Sequence, residues 1–315
     1  MSGLPRYAFL GPEGTFTEMA LRLMVSPEEA EFVPVVDVPT ALGAVRSGEA
    51  DYAVVAIENT VEGGVTATLD TLAQGSPLVI LGEVSLPVEF DLVASAGVAI
   101  ADIRRVCAHP HAWNQVRRWA NQNLPGVTFV PSPSNAAAAL SVASGGEVDG
   151  IAVEAALAPP GLAARLGLTV LAQHVADNAS AATRFVRVGR PEAVAPPTGH
   201  DKTTLSVHLP TDRAGALLEM LEQFSVRGVN LSRIESRPRS DRPGEYSFSI
   251  DAMGHIAERR MAEALIGLKR TCPHVVFLGS YPAADPTPTP VAAGNVDAAF
   301  VEAEEWVARL VEGRG

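Results

Sequence analysis

The sequence predicts an α/β protein in two parts. A two-lobed body of alternating strands and helices comes first, then a smaller module of ferredoxin-like β-α-β-β-α-β order, with an amphipathic helix behind it. Three observations carry that prediction. Short apolar runs alternate with segments of helical periodicity up to about residue 190, the pattern of a parallel sheet covered on both faces. PEAVAPPTGH, residues 191–200, has the proline and glycine content of a linker. Beyond it the order of elements changes to strand, helix, strand, strand, helix, strand.

In the body, YAFL reads as a strand, TEMALRLM as a helix, FVPVV as a strand, TALGAVRSG as a helix, DYAVVAI as a strand and TATLDTLAQG as a helix. LVILGEVSLPVEFDLVAS, residues 78–95, is a longer β-rich run that carries the chain from one lobe to the other. The second alternation is strand RRVCAH, helix AWNQVRRWANQ, strand VTFV, helix NAAAALSVASG, strand GIAV, helix EAALAPPGLAARLG and strand TVLAQHV, closed by SAATRFVRVG. The expected boundaries are a body over 1–190, with one lobe at about 1–78 and 175–190 and the other at about 79–174. A linker at 191–200, the module at 201–282 and a spacer with helix at 283–315 complete the chain. Within the module the elements are TTLSVHL, GALLEMLEQFSVRG, VNLSRIESR, EYSFSIDAM, AERRMAEALIGLKR and HVVFLGS. In the last segment Val296, Phe300, Ala303, Val307 and Leu310 recur at three- and four-residue steps, which predicts a helix docking on the body or on a neighbouring subunit.

With 315 residues and 47% hydrophobic content, the chain can build cores without covalent staples. Cys107 and Cys272 stand far apart with no CxxC or Cys/His spacing, which disfavours a disulfide scaffold or a zinc module and fits a reducing cytoplasm. No export signal or membrane-length apolar run is expected. A net charge of −12 argues against nucleic acid as partner, and it means that an anionic ligand must be held by local donors.

Ligands of open α/β sheets bind beyond the carboxyl ends of strands, and three polar clusters fall at such ends. GPEGTFTE follows YAFL: its glycines let backbone approach a ligand, while Thr15 or Thr17 caps the next helix. ENTVEGG follows DYAVVAI and places Glu58, Asn59 and Thr60 where an apolar strand meets solvent, Glu58 being either a desolvated acid or a solvated loop carboxylate. HPHAWNQ follows RRVCA, with His109 at a helix entry and Gln115 one turn further in; no carboxylate or cysteine stands at ligand spacing from its two histidines. Ser134 reads as a helix cap, and the three tryptophans as core. In SAATRFVRVG, Thr183 and Arg184 open an apolar strand; they serve either solvent or a ligand.

GPEGTFTE, IENTVEGG and TRFVRVG, followed by GALL and ESRP inside the module, resemble the bacterial prephenate dehydratase family in order and spacing over roughly residues 6–281. The resemblance implies a two-lobed, periplasmic-binding-protein-like catalytic domain and an ACT domain that binds phenylalanine. It implies conversion of prephenate to phenylpyruvate, water and carbon dioxide with neither metal nor organic cofactor, in a homodimer or homotetramer built through ACT domains. Thr183 matches the family's catalytic threonine, and Glu58 is the alternative source of the proton. Thr15, Phe16, Asn59, Thr60, Gln115, Arg184 and Phe185 fall at substrate-binding positions, Arg184 either meeting a substrate carboxylate or bracing the cleft. Gly215, Ala216, Leu217, Leu218, Asn230, Leu231, Glu235, Ser236, Arg237 and Pro238 fall at the phenylalanine site. Two departures from the family pattern are Ala108, where serine is common, and Ser180 or Ala181, where asparagine is common.

Two other readings compete. Arogenate dehydratase differs only in the amine that its substrate carries in place of the keto group, and a non-catalytic two-lobed protein would bind a small anion without chemistry. An ACT-regulated dehydrogenase or kinase is disfavoured, since neither GxGxxG nor GxxxxGK[ST] occurs.

Overall fold

A computed structural model describes residues 3–61, 63–209, 213–238 and 246–314. Its elements run β1 Arg6–Leu10, α1 Phe16–Met24, β2 Glu31–Val35, α2 Val38–Ser47, β3 Tyr52–Asn59, β4 Gly63–Gly64, α3 Thr66–Ala73, β5 Val79–Pro87 and β6 Asp91–Ala94. There follow β7 Arg105–Ala108, α4 Pro110–Asn114, α5 Arg117–Asn123, β8 Thr128–Pro131, α6 Asn135–Ala143, β9 Glu147–Val148, β10 Ile151–Ala152, β11 Ala155–Ala158, α7 Leu162–Leu166, β12 Thr169–Ala172 and β13 Ala182–Gly189. The remainder is β14 Asp201–His208, α8 Ala216–Ser225, β15 Leu231–Pro238, β16 Tyr246–Met253, α9 Arg259–Thr271, β17 His274–Pro282 and α10 Asp297–Val311. Two compact units result, Met1–Thr68 with Val84–Phe185, and Leu69–Glu83 with Val186–Gly315.

Two large sheets, ordered β2-β1-β3-β13-β5 and β12-β6-β11-β7-β8, form the body together with the small pair β10-β9. Both are mixed and not wholly parallel as the strand-helix alternation suggested. β1 is parallel to β2 and β3, and β11 to β7, but β4 runs antiparallel to β3, and β6 antiparallel to β11 and β12. Because β5 belongs to the first sheet, the chain crosses to the second only after Pro87. The expected helix EAALAPPGLAARLG is instead the central strand β11 followed by the five-residue α7. Pro159 and Pro160 cannot continue a helix, and Ala155–Ala158 is buried at every position, so it carries no periodicity. AWNQVRRWANQ likewise breaks at Gln115 and Val116 into α4 and α5.

Helix starts follow the local sequence. Thr15 Oγ1 accepts the Glu18 N–H at the head of α1, and Asp37 Oδ1 accepts the Thr40 N–H at the head of α2. Gly48, at φ 81°, closes α2 in the left-handed conformation. On one face of the first sheet Tyr7, Phe9, Val54 and Phe185 pack against Ala20 and Leu21 of α1. Full burial of side chains such as these contributes about 1.5–3 kcal/mol for each large one.

In the second unit the antiparallel sheet β15-β16-β14-β17 has the order expected of a β-α-β-β-α-β module. The expected strand EYSFSIDAM begins at Glu245, which lies outside the described residues; β16 is described from Tyr246. Leu205 and Val207 of β14 join Met220 and Phe224 of α8 and Met261 and Leu268 of α9 in one core. Alternate residues of β14 carry polar bonds: Thr204 Oγ1 donates to Asp251 Oδ1 at 2.8 Å, and Arg233 donates to both oxygens of the same carboxylate at 3.0 and 3.1 Å. Lys202 Nζ meets the buried Glu83 carboxylate at 2.7 Å. α10 is tied to Arg259 at two points, Asp297 Oδ1 accepting the Arg259 N–H and Glu304 in mid-helix pairing with its guanidinium, yet Trp306, Val307 and Leu310 stay about half exposed. No helix among the described residues is long and apolar enough to cross a membrane.

Candidate active site

Parallel pairing puts the carboxyl ends of β1 and β3 at one end of the first sheet, so the GPEGTFTE loop and Glu58–Thr60 emerge side by side. The start of β13 joins them there. Thr60 N–H donates to the Ala182 carbonyl at 2.9 Å, and Thr60 Oγ1 accepts the Ala182 N–H at 2.9 Å. Two side-chain pairs then bridge β3 and β13. Asn59 Nδ2 donates to Thr183 Oγ1 at 2.8 Å, and Arg184 Nε donates to Glu58 Oε2 at 3.0 Å. Successive side chains of a strand alternate, so these pairs fall on opposite faces. Phe185 shares the face of Thr183 and is 2% exposed against α1; Thr183 therefore sits one step nearer the strand end, on the side where α1 begins.

The Asn59 amide has its orientation settled by its neighbours. Its Oδ1 accepts the Val61 N–H at 2.8 Å, which leaves the NH2 group to face Thr183. Thr183 Oγ1 thus receives a hydrogen bond, while its own hydrogen has no acceptor among the described residues. Arg184 is almost fully buried, with its guanidinium against Glu58.

A cavity of about 270 Å3 lies at this level, lined from the first lobe by Leu10–Pro12, Thr15–Thr17 and Val36, and from the second by His109, Pro133–Ala136 and Pro159. Its second-lobe residues follow β7, β8 and β11, three parallel neighbours whose carboxyl ends coincide. Both nine-residue helices that border it, α1 and α6, begin in its lining. Beyond the N–H groups that Thr15 and Ser134 cap, their amide ends carry partial positive charge, a setting for anions in a chain of net charge −12.

The other expected residues have the following surroundings. Thr15 Oγ1 lines the cavity but is engaged as a cap, donating to the Leu10 carbonyl and accepting from Glu18 N–H. Phe16 packs edge to face on Phe90 at 5.7 Å. Phe185 is core, because its strand face is covered by α1. Gln115 ends α4; its carbonyl accepts the Asp177 N–H, tying it to the segment that leads into Thr183, and its buried Oε1 has no hydrogen-bond partner among the described residues. Ala108 is fully buried in core, and Ser180 Oγ donates to Asn178 Oδ1.

Ser134, Asn135 and Thr17 were passed over as ligand contacts. Ser134 does cap α6, accepting the Ala137 N–H, and also lines the cavity, while Asn135 Oδ1 accepts the His109 N–H. The signal was available: SPSNA follows a strand as the other polar clusters do. Glu18 was missed as well. Its side chain is 2% exposed and accepts bonds from Gly14 N–H, Arg22 and Arg165. Burial opposes its charge, but the bonds from Gly14, Arg22 and Arg165 prevail and hold its carboxyl below the ordinary glutamate range. Among the described residues no three His, Cys, Asp or Glu side chains are gathered as a metal site.

In the second unit, Gly215 (φ 87°) precedes α8, Ala216 is buried, and Leu217 and Leu218 are 39% and 60% exposed. Leu231 opens β15, just after Asn230, while Glu235, Ser236, Arg237 and Pro238 close it, Arg237 pairing with Glu235 at 3.1 Å. The ten-residue α8, about 15 Å long, carries Gly215–Leu218 at its start, and Asn230 follows its far end.

A two-lobed α/β body with polar strand ends and two helix starts around one cavity defines a protein that holds a small anion. The prephenate dehydratase family profile matches residues 7–193. The prephenate dehydratase of Amycolatopsis methanolica is 45% identical over 98% of this chain and 99% of its own. The crystal structure of prephenate dehydratase from Arthrobacter aurescens, in complex with L-Phe, superposes with a TM-score of 0.91 at 50% identity, over 98% of this chain and 99% of that one. GqqA, described as a novel type of quorum quenching acylase, superposes with a TM-score of 0.76 at 30% identity, over 88% and 98% of the two chains. The chain belongs to the prephenate dehydratase family. Its activity is that of a carbon-oxygen lyase, forming phenylpyruvate from prephenate in phenylalanine biosynthesis.

Proposed function

We propose that Thr183 passes a proton to the hydroxide leaving prephenate, that Asn59 orients and polarises its hydroxyl, and that phenylalanine bound at residues 201–282 controls this step. In the reaction the bond to the ring carboxylate breaks, carbon dioxide departs, and its electron pair enters the ring. The ring carbon-oxygen pair leaves with the oxygen, and the ring becomes aromatic. An alcohol and water are of comparable acidity, so a departing hydroxide takes the Thr183 proton without a steep uphill step. Water then restores the hydroxyl. Positioned proton transfer of this kind is worth about 10²–10⁴ in rate.

The observation that carries this reading is the Asn59–Thr183 pair, in which the amide uses a lone pair of Oγ1 and leaves the O–H free to donate. Glu58 and Arg184 then brace the strand pair from its other face. The amide ends of α1 and α6 receive the carboxylates of prephenate in the cavity. Buried free thiols at Cys107 and Cys272 suit a reducing cytoplasm.

For regulation, the relative from Arthrobacter aurescens supplies the ligand, L-Phe. In this chain Gly215–Leu218 of one copy and Asn230, Leu231 and Glu235–Pro238 of another would complete a site at the contact of two modules, making the protein a homodimer or homotetramer. Phenylpyruvate formation, assayed with prephenate and with arogenate, and with and without phenylalanine, tests the reading. Turnover of prephenate that phenylalanine leaves unchanged would remove the regulatory half. Hydrolysis of an acylated quorum signal without phenylpyruvate formation would remove the rest.

A further inference from the structure

Glu18 and Arg165 join parts of the chain that sequence keeps 147 residues apart. Glu18 belongs to α1 in the first lobe, Arg165 to α7 in the second. Arg165 Nη1 reaches Glu18 Oε2 at 3.3 Å, while its Nη2 reaches Glu13 Oε2 at 3.3 Å. Glu18 is itself fixed on the first lobe, by the Gly14 N–H and by Arg22 Nε and Nη2 at 2.9 and 2.6 Å. The two lobes also touch where the Leu162 side chain meets the Gly14 backbone. Gly14 has φ +86°, and a Cβ built on it would stand 2.5 Å from Leu162 Cδ1 of α7. α7 therefore rests directly on the loop that lines the 270 Å3 cavity, and Pro159, in the turn before α7, lines that cavity too.

We propose that Arg165 is a positioning residue, which latches the second lobe to the GPEGTFTE loop through Glu18 and Glu13 and so sets the spacing of the cleft without touching substrate. The idea rests on the reading that prephenate occupies this cavity. Without the latch, substrate must itself hold the lobes together, and apparent affinity falls by the fraction of chains no longer closed. The ring chemistry of a bound and closed complex is unaffected. Arg165 is also the natural choice for such a role, since its side chain is half exposed and can release and re-engage while Glu18 keeps its other partners.

The test combines steady-state kinetics with hydrogen exchange on the full chain. Arg165→Gln should raise KM about tenfold while kcat stays within about twofold. Exchange at residues 10–17 and 160–168 should quicken even without substrate, and Arg165→Lys should recover part of both effects. An unchanged KM in Arg165→Gln, or a kcat loss with no change in KM or exchange, overturns the latch. Should Arg165→Gln lose its fold, Glu13→Gln decides, since it removes one of the two contacts at an exposed side chain, and an unchanged KM together with unchanged exchange at residues 160–168 would overturn the latch. Asn135→Asp, which puts a negative charge into the cavity, separates the two ideas. Its KM should rise sharply, and an unchanged value removes prephenate from the cavity while faster exchange in Arg165→Gln still supports lobe latching.

Discussion

Two clusters of polar side chains, one bridging β3 and β13 and the other bridging α1 and α7, differ in what they leave uncommitted. At the β3–β13 edge, Asn59 presents an N–H to Thr183, and the threonine hydrogen has no acceptor among the described residues. At the α1–α7 edge, the Glu18 carboxylate takes bonds from a backbone amide and two arginines. A group with a donor to spare can act on a ligand; a group whose valences are filled by the protein holds shape. Neither role is visible in sequence, where Thr183 opens an apolar strand and Glu18 stands in the first turn of a helix. Geometry separates the chemical edge from the architectural one.

The sharpest way to break this contrast is to remove the hydroxyl. Thr183→Ala should lower kcat by about 10²–10⁴ with circular dichroism and melting temperature close to wild type, because a single side chain at a strand end contributes little packing. Thr183→Ser should retain much of the activity. Near wild-type kcat in the alanine variant would move the proton source elsewhere, with Glu58 the first candidate.

The next effect is at Asn59. Asn59→Asp keeps size but replaces the N–H donor by an acceptor, which draws the Thr183 hydrogen toward itself and away from substrate. Its kcat should fall about 10- to 100-fold, at least as far as in Asn59→Ala. If the aspartate variant were faster than the alanine one, the donor direction assigned to the pair would be wrong.

Which parts of this were legible beforehand follows from distance along the chain. Turn glycines, caps at Thr15 and Ser134, and the order of the C-terminal module depend on near neighbours, and the structure has them where the residues point. The sequence predicts a helix at β11 because an alanine-rich run buried at every position has no period to reveal a strand. The pairing of Glu58 with Arg184 spans 126 residues and needs β13 to return beside β3, so a reader of sequence sees two candidates for ligand contact and not an ion pair. Glu18 was hidden for a related reason. With Arg22 four residues on, it looks like a surface helix pair, and only α7, arriving from 147 residues away, reveals the bridge between lobes.

Glu18 also makes the architectural edge testable through pH. Its folded-state carboxyl lies below the ordinary value of 4.5, so its contribution to stability is complete above that value and is lost as pH falls through the depressed folded one. Replacing a nearly buried carboxylate between two arginines should cost about 1–3 kcal/mol near neutral pH. Urea titrations of wild type and Glu18→Gln should therefore show a gap that narrows as pH drops below 4.5. A gap independent of pH would assign the loss to packing and not to charge.

The smallest effect expected is in the C-terminal module, where it tests whether the contrast between committed and uncommitted groups extends to apolar ones. Leu218 is 60% exposed at the start of α8, beside Leu217 at 39%. A leucine that is mostly solvated contributes little to its own chain, so Leu218→Ala should change unfolding free energy by no more than about 0.5 kcal/mol. If a second copy and a phenylalanine ring cover that side chain, truncation removes contact area in the bound state alone. At about 25 cal/mol per Å2, loss of some 40–60 Å2 corresponds to roughly a 5- to 15-fold weakening of phenylalanine inhibition. Uninhibited kcat and KM should not move, because the residue meets neither the cavity nor the β3–β13 edge. Titration calorimetry with phenylalanine, beside inhibition curves, measures both sides. Equal phenylalanine affinity in the variant would place the effector away from the α8 start, and a matching loss of stability without ligand would make Leu218 an ordinary member of the core.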